Sequence, residues 1–196
     1  MKIVDSDPRK LNRKIASLPT GFSTQFSNWF SKSKVVDAQG LPLKVFHGTQ
    51  HDVPFFSEAM QGDTVYSGDV GFFFTNDVAE ANAYATWDWD RDEPKPNVMP
   101  VYLSIQNPLL VNISNPFHTA EAPGLWYDRF GQNMANYALN CGHDGLIISD
   151  FGCADRQPSG PCSGKQTLFV VFRPEQIKSA IGNNGAFNPQ DKLICA

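Results

Sequence analysis

Two segments near the middle of the chain constrain its fold more than any other part of the sequence. Residues 45–49, VFHGT, close an apolar run with a histidine, a glycine and a hydroxyl. Residues 71–85, GFFFTNDVAEANAYA, pass from an aromatic stretch into an alanine-rich one. The first pattern indicates a strand and the second a strand followed by a helix, whose small side chains let it lie close to a sheet.

Three consecutive phenylalanines cannot all face one core, since successive side chains of a strand point to opposite sides. Phe72 and Phe74 are therefore predicted to share one side, which leaves Phe73 on the other side to line a cleft. In the following helix, Glu80 and Tyr84 lie one turn apart on one face. Tyr84 is a candidate for the opposing wall of an aromatic sandwich around a planar ring. Ordinary core packing of both aromatics is the alternative.

The remaining patterns predict further helices and strands in an α+β order. Helices are predicted over residues 10–18, 24–33, 79–85 and within 126–142, and strands over residues 43–46, 70–75, 98–106, 144–150 and 167–172. Asn76 or Asp77 is the predicted N-cap of the 79–85 helix, and Gly142 suits the C′ position of the helix predicted within residues 126–142. Asn107 and Pro108 predict a turn. The histidine at position 47 is expected at a strand end, where chains often present chemistry.

The composition excludes some classes of function. A net charge of −4 and a pI near 5.5 argue against a broad nucleic-acid surface. No stretch approaches the length of a membrane span, and the polar start lacks a Sec-type signal. We therefore expect a cytoplasmic protein or one delivered into a target cell. The four cysteines have no metal-ligand spacing, so no metal is expected, and pairing of Cys153 with Cys162 stays open.

The two central segments resemble the NAD-binding core of the diphtheria-toxin-like mono-ADP-ribosyltransferases and poly(ADP-ribose) polymerases. In that pattern a strand-end His-Gly is followed by an aromatic strand, a short helix and a tyrosine. Further segments resemble, more closely, the ADP-ribosyltransferase domain of polyvalent proteins of phages and mobile elements. They are SNWFSKSKVVDAQGLPLKVFHGT, VMPVYLSIQNPLLV, GHDGLIISD and VVFRPEQIKSAIGNNGAFNP, in the same order from Ser27 to Pro189.

The resemblance implies a split pair of small, mostly antiparallel sheets around an NAD cleft, with flanking helices. His47 would hydrogen-bond a ribose hydroxyl of NAD, and the Gly48 backbone would pair with the nicotinamide carboxamide. Phe73 and Tyr84 would clamp the nicotinamide ring, and Thr49 would supply a hydroxyl behind these groups or near the phosphates. Residues 1–34 are expected to be a helical segment packed on a catalytic domain that spans residues 35–196.

The sequence departs from the family pattern where a carboxylate is expected, at the start of the last core strand. Leu168 occupies that place, or Thr167 if the register differs by one, and neither can act as a base. Gln166 lies on the same side of the strand as Leu168 and is the first candidate to bind the ribose. The predicted catalytic set is therefore His47, Tyr84 and Gln166. The other polar candidates are Asp150, Asp155, Glu175 and Gln176.

Three functions fit these residues. The leading prediction is an NAD-dependent mono-ADP-ribosyltransferase, a phage-borne or toxin-type effector that modifies a macromolecule and releases nicotinamide. An NAD glycohydrolase and a non-catalytic NAD or ADP-ribose binding module are the alternatives. The loops at residues 86–97 and 150–165 are expected to recognise the target. A protein acceptor is favoured over a nucleic acid, and a monomer is expected, alone or with an immunity or target protein.

Overall fold

The fold is an α+β arrangement in which helices cover a mixed sheet. The computed structural model describes residues 22–50, 55–57, 71–86, 95–112, 131–151, 166–182 and 188. The helices are α1 (Thr24–Phe30), α2 (Val78–Thr86) and α3 (Gly131–Asn140), and a 3-10 turn spans Pro174–Gln176. The strands are β1 (Val45–Thr49), β2 (Phe72–Thr75), β3 (Asn97–Leu103), β4 (Pro108–Asn112), β5 (Gly145–Phe151), β6 (Gln166–Val171) and β7 (Ile177–Ser179). No helix within these described ranges is long and apolar enough to cross a membrane.

The seven strands join in the order β4-β5-β6-β2-β1-β3-β7. β4 and β5 are parallel, with α3 between them in the chain, and the other pairings are antiparallel. β1 and β2 meet at a single register pair, Phe46↔Thr75, whereas β1 pairs with β3 from Val45 to Thr49. The predicted α+β class is confirmed. The predicted split into two sheets is not confirmed, because the described strands form one hydrogen-bonded sheet that is narrowest between β1 and β2.

The two faces of the sheet carry separate apolar clusters. The first cluster contains Val35, Val45, Phe56, Phe72, Phe74, Met99, Val101, Leu103, Ile105, Phe169, Val171 and Ile177. The second contains Ala135, Ala138, Leu146, Ile148, Leu168, Val170 and Phe172, and it includes residues of α3. Because side chains alternate along each strand, neighbouring residues of β6 fall into different clusters.

Two local predictions were wrong. The strand predicted to end at Phe46 continues to Thr49, because the register with β3 extends to the pair Thr49↔Asn97. His47 therefore lies inside a strand and not at its end. Pro108 begins β4 and does not form a turn, since an edge strand can start with a residue that donates no hydrogen bond.

The three helices predicted within the described residues are present, although α1 ends at Phe30 and not at Ser33. α1 packs its buried Phe26 and Phe30 near Tyr102, and Gly142 has the positive φ of 78° that suits the residue after α3. The predicted helix at residues 10–18, the target-recognition loop residues 87–94 and 152–165, and Asp155, Cys153 and Cys162 lie outside the described residues. The boundary between residues 1–34 and 35–196 stays a prediction.

Candidate active site

The imidazole of His47 lies at the junction of β1 and β2. Its Nδ1 is 2.8 Å from the carbonyl oxygen of Phe73. A carbonyl can only accept, so Nδ1 donates, and the neutral ring presents Nε2 as an acceptor. Burial lowers the pKa of His47 below its ordinary value, and the hydrogen bond to Phe73 opposes this shift. The ring centroids of Phe56 and Phe74 lie 5.1 Å and 5.4 Å from the centroid of the imidazole, and these rings pack against it.

Gly48 allows α2 to lie directly on β1. A Cβ atom at this position would overlap the carbonyl oxygen of Ala81 and lie 3.1 Å from the backbone nitrogen of Ala85. Both alanines are buried, as the alanine-rich sequence of this helix predicts. No larger side chain fits at Gly48 unless the helix moves.

The backbone of Gly48 faces the gap between β1 and β2. The Phe73 carbonyl points towards β1, because His47 binds it. The backbone groups of alternate residues point to the same edge of a strand, so Thr75 also faces β1, opposite Phe46. The same alternation turns the backbone of Gly48 towards β2, beyond the one register pair. This gap is therefore bordered by the backbone of Gly48, and the imidazole of His47 lies beside it on the face opposite α2, against Phe56 and Phe74.

Phe73 lies on the face of the sheet that carries α2. It is 37% exposed, whereas Phe72 and Phe74 are buried. The predicted alternation of the three phenylalanines is thus confirmed. Phe73 shares its face with Thr75, and hence with Gly48, which touches α2.

Tyr84 lies on the flank of α2, beside the buried row of Ala81 and Ala85. It is one turn after Glu80, which is buried, and its own side chain is partly exposed. Since α2 lies on the face that carries Phe73, the two aromatic residues proposed to hold a planar ring lie on one side of the sheet. Thr49 ends β1, opposite Asn97.

Gln166 is buried at the start of β6 and lies next to the N-terminus of α2. Its Nε2 is 3.4 Å from Oδ2 of Asp77. The other carboxylate oxygen of Asp77 accepts hydrogen bonds from the amides of Ala79, at 2.7 Å, and Glu80, at 3.4 Å. Asp77 is therefore the N-cap of α2, one of the two caps that the sequence predicts, and it also contacts Gln166.

Asn76 fixes the same strand to the turn before α2. Its side-chain Oδ1 accepts a hydrogen bond from the backbone amide of Thr167 at 2.9 Å. Its backbone amide donates to the backbone carbonyl of Thr167 at 3.3 Å. The beginning of β6 is thus bound to the β2–α2 turn at both Gln166 and Thr167. Sequence reasoning missed this connection, because the two segments are far apart in the chain.

Leu168 is buried in the second apolar cluster, with Ala135, Leu146 and Ile148. Its register partner on β2 is Thr75. Leu168, one of the two positions at which the resemblance predicts the family's carboxylate, therefore contributes an apolar side chain to packing under α3.

Gln176 is a structural residue. Its Oε1 accepts the amides of Phe172 and Arg173, at 3.2 Å and 3.0 Å. Its Nε2 donates to the carbonyls of Ser104 and Asp144, at 3.0 Å and 2.8 Å. These four hydrogen bonds hold the 3-10 turn against the chain after β3 and before β5. The side chain has no remaining capacity to bind a ligand.

A separate polar groove of about 510 Å³ lies between α1 and the 3-10 turn. It is lined by Asn28, Trp29, Ser104, Gln106, Asp144, Arg173, Glu175 and Gln176. Glu175 and Gln176, two of the alternative polar candidates, belong to this groove. It contains none of the residues predicted to bind NAD, so the structure places those two candidates away from His47.

An α+β sheet with a neutral histidine and a glycine backbone at its narrowest junction is consistent with an ADP-ribosyltransferase domain. A family model described as ADP-ribosyltransferase in polyvalent proteins matches residues 37–187. The match covers more than half of the chain, and the chain belongs to this family. ADP-ribosyltransferases use NAD as co-substrate. Neither a curated protein nor a solved structure shows a significant match to the chain.

Proposed function

We propose that the protein is a mono-ADP-ribosyltransferase that transfers ADP-ribose from NAD to a protein and releases nicotinamide. Its membership of an ADP-ribosyltransferase family supports transfer from NAD. The observation that carries the proposal for the site is the gap between β1 and β2, which the Gly48 backbone borders and beside which the His47 imidazole lies.

In the proposed complex, the nicotinamide end of NAD occupies this gap. Nε2 of His47 accepts a hydrogen bond from a ribose hydroxyl, since Nδ1 is held by the Phe73 carbonyl. The backbone of Gly48 pairs with the carboxamide. The rings of Phe73 and Tyr84 hold the nicotinamide from the α2 side of the sheet, and Thr49 lies farther along β1, towards the phosphates.

The reaction breaks the bond between the nicotinamide nitrogen and the ribose carbon. The electron pair stays with nicotinamide, and positive charge develops on the ribose, as in glycoside hydrolysis. A lone pair of the acceptor then forms the new bond to that carbon, and the acceptor's proton passes to water. The chain contributes orientation of NAD and stabilisation of the developing charge.

The proposed role of Gln166 is to hydrogen-bond the ribose, with its amide oriented by Asp77. An amide does not accept a proton at neutral pH, and Leu168 is apolar. The absence of a base at these two positions supports single transfer over polymer formation. It equally favours an NAD glycohydrolase, in which water takes the place of the acceptor, as the second candidate.

Nicotinamide release and label transfer test the proposal together. We expect wild-type protein to release nicotinamide from NAD and to attach label from biotinylated NAD to proteins of a cell extract. His47→Ala and Tyr84→Ala should each lower release about 100-fold, the typical effect of removing one group that stabilises a transition state. His143→Ala and Tyr137→Ala carry the same changes outside the site and should retain full activity.

The other outcomes of this experiment select among the alternatives. Release without protein labelling would indicate a glycohydrolase, and labelled nucleic acid would identify the other acceptor class. Binding of NAD without release would indicate a binding module. Failure of the wild-type protein both to bind and to cleave NAD would contradict the proposal.

We also propose that the protein acts as a phage-borne or toxin-type effector in the cytoplasm of a target cell, as a monomer. The support is its membership of a family named for polyvalent proteins. Induced expression in bacteria should arrest growth with wild-type protein, and His47→Ala should relieve the arrest. Equal growth arrest by both proteins would contradict an effector role that depends on NAD cleavage.

A further inference from the structure

Glu80 is an acidic side chain that is buried, with 7% of its surface exposed. Carboxylates are seldom buried unless another group or a function requires them, because desolvation disfavours their charge. Glu80 lies on α2, one turn before Tyr84, within the helix that packs on Gly48. The helix that carries Tyr84 therefore also carries a buried carboxylate, whereas Leu168 on β6 is apolar.

The direction of this carboxylate follows from its neighbours on α2. Asp77, Glu80 and Tyr84 are spaced by three and four residues, so they share one flank of the helix. Asp77 contacts Gln166 at the start of β6. This flank of α2 therefore faces the part of the sheet in which β6 begins, next to β2.

We infer that Glu80 supplies the negative charge that Leu168 cannot supply, as a catalytic residue of NAD cleavage. This inference rests on the proposed function. As the bond between nicotinamide and ribose breaks, the electron pair leaves with nicotinamide and the ribose becomes positively charged. The carboxylate of Glu80 stabilises this charge without forming a bond and without changing its protonation. The acceptor then donates its lone pair to the ribose carbon and loses its proton to water.

A purely structural role for Glu80 makes a different prediction. An acidic side chain in the first turn of a helix interacts favourably with the helix dipole, which typically contributes 0.3–1 kcal/mol. Removing its charge would then lower stability, and any loss of activity would follow the loss of folded protein. The kinetic constants of the folded protein separate the two roles.

The test compares Glu80→Gln with Glu175→Gln, which makes the same chemical change on the 3-10 turn, outside the proposed site. We expect Glu80→Gln to lower kcat for nicotinamide release about 100-fold, with KM for NAD and the NAD dissociation constant changed less than about threefold. Glu175→Gln should keep wild-type kinetics. Glu80→Asp, which keeps the charge, should retain more activity than Glu80→Gln, and melting temperatures monitor folding for every variant.

Each outcome decides the inference. A folded Glu80→Gln variant with wild-type kcat would overturn it and leave the proposed function intact. Equal losses in Glu80→Gln and Glu80→Asp, in step with their melting temperatures, would show a structural role and would also overturn it. A wild-type protein that releases no nicotinamide would refute the proposed function, and the inference about Glu80 would then fail with it.

Discussion

The protonation of His47 is decided by atoms from another strand. The carbonyl of Phe73 holds Nδ1, and the surrounding rings lower the pKa of the imidazole by burial. At neutral pH the ring is therefore uncharged, with Nε2 as the acceptor. The sequence suggests a histidine with a hydrogen-bonding role, but only the folded structure shows which nitrogen can meet a ligand.

The lowered pKa of His47 predicts how stability depends on pH. In the unfolded chain this histidine takes up a proton near its ordinary pKa of 6.5, whereas the folded protein resists protonation to a lower pH. Its contribution to stability is thus fully present above pH 6.5 and is lost as pH falls through the folded pKa. Urea unfolding between pH 7.5 and 5.5 should show a steeper loss for wild type than for His47→Gln.

The difference in slope should stay below about 1.4 kcal/mol per pH unit, the value for one full proton. His143→Gln is the matched control, and this variant should retain the steeper dependence that His47 causes. If the free energy of unfolding changes with pH in parallel for wild type and His47→Gln, then His47 has the same pKa in the folded and the unfolded chain.

At the scale of elements, the position of α2 organises the candidate site. The helix touches β1 at Gly48, its cap residue Asp77 reaches Gln166 on β6, and its flank carries Glu80 and Tyr84. Small residues at the contact allow this approach, since a Cβ at Gly48 would overlap the helix backbone. One short helix thereby contacts both β1 and β6.

The packing of β6 under α3 predicts that a carboxylate cannot simply be restored at position 168. Leu168→Glu would place a charge among Ala135, Leu146 and Ile148. We expect the free energy of unfolding to fall by about 3 kcal/mol or more, because an unpaired buried charge is strongly destabilising. Denaturant unfolding measures this loss, and nicotinamide release per folded molecule should not increase.

Leu168→Met is the control for this prediction. It keeps the volume and apolar character of the side chain and should cost less than about 1.5 kcal/mol. A stable Leu168→Glu protein with increased NAD cleavage would show that position 168 faces the cleft in the functional state.

At the scale of the whole molecule, Gln176 connects segments that are far apart in the sequence. Its four hydrogen bonds reach the end of β6, the residue after β3 and the residue before β5. The segment RPEQI, which lies within the residues matched by the family model, is thus explained in part by stability. A structural role for Gln176 agrees with the lining of the polar groove between α1 and the 3-10 turn, which includes Gln176 and none of the predicted NAD-binding residues.

Gln176→Ala should therefore lower stability and leave the kinetic constants of the folded protein unchanged. Two amides and two carbonyls lose a buried partner, so we expect a loss of about 3 kcal/mol in the free energy of unfolding. Urea unfolding measures the loss, and Glu175→Ala on the same turn should cost less than half as much. A large change in KM for NAD in folded Gln176→Ala would assign Gln176 a role in binding.

The sequence by itself determined features that depend on neighbouring residues. The alternation of Phe72, Phe73 and Phe74, the alanine-rich helix and the choice of Asn76 or Asp77 as its cap follow from local periodicity and side-chain type. The resemblance of the chain to ADP-ribosyltransferases rests on such short segments and is confirmed by the family match.

Only the tertiary structure decided the remaining features. The partner of His47 lies 26 residues away and that of Gln166 lies 89 residues away, and the sheet continues through one register pair between β1 and β2. No local pattern predicts such contacts, because they depend on how all the strands and helices pack together. The burial of Glu80 and Leu168 has the same origin: whether a side chain meets water or a core is set by the elements that cover it.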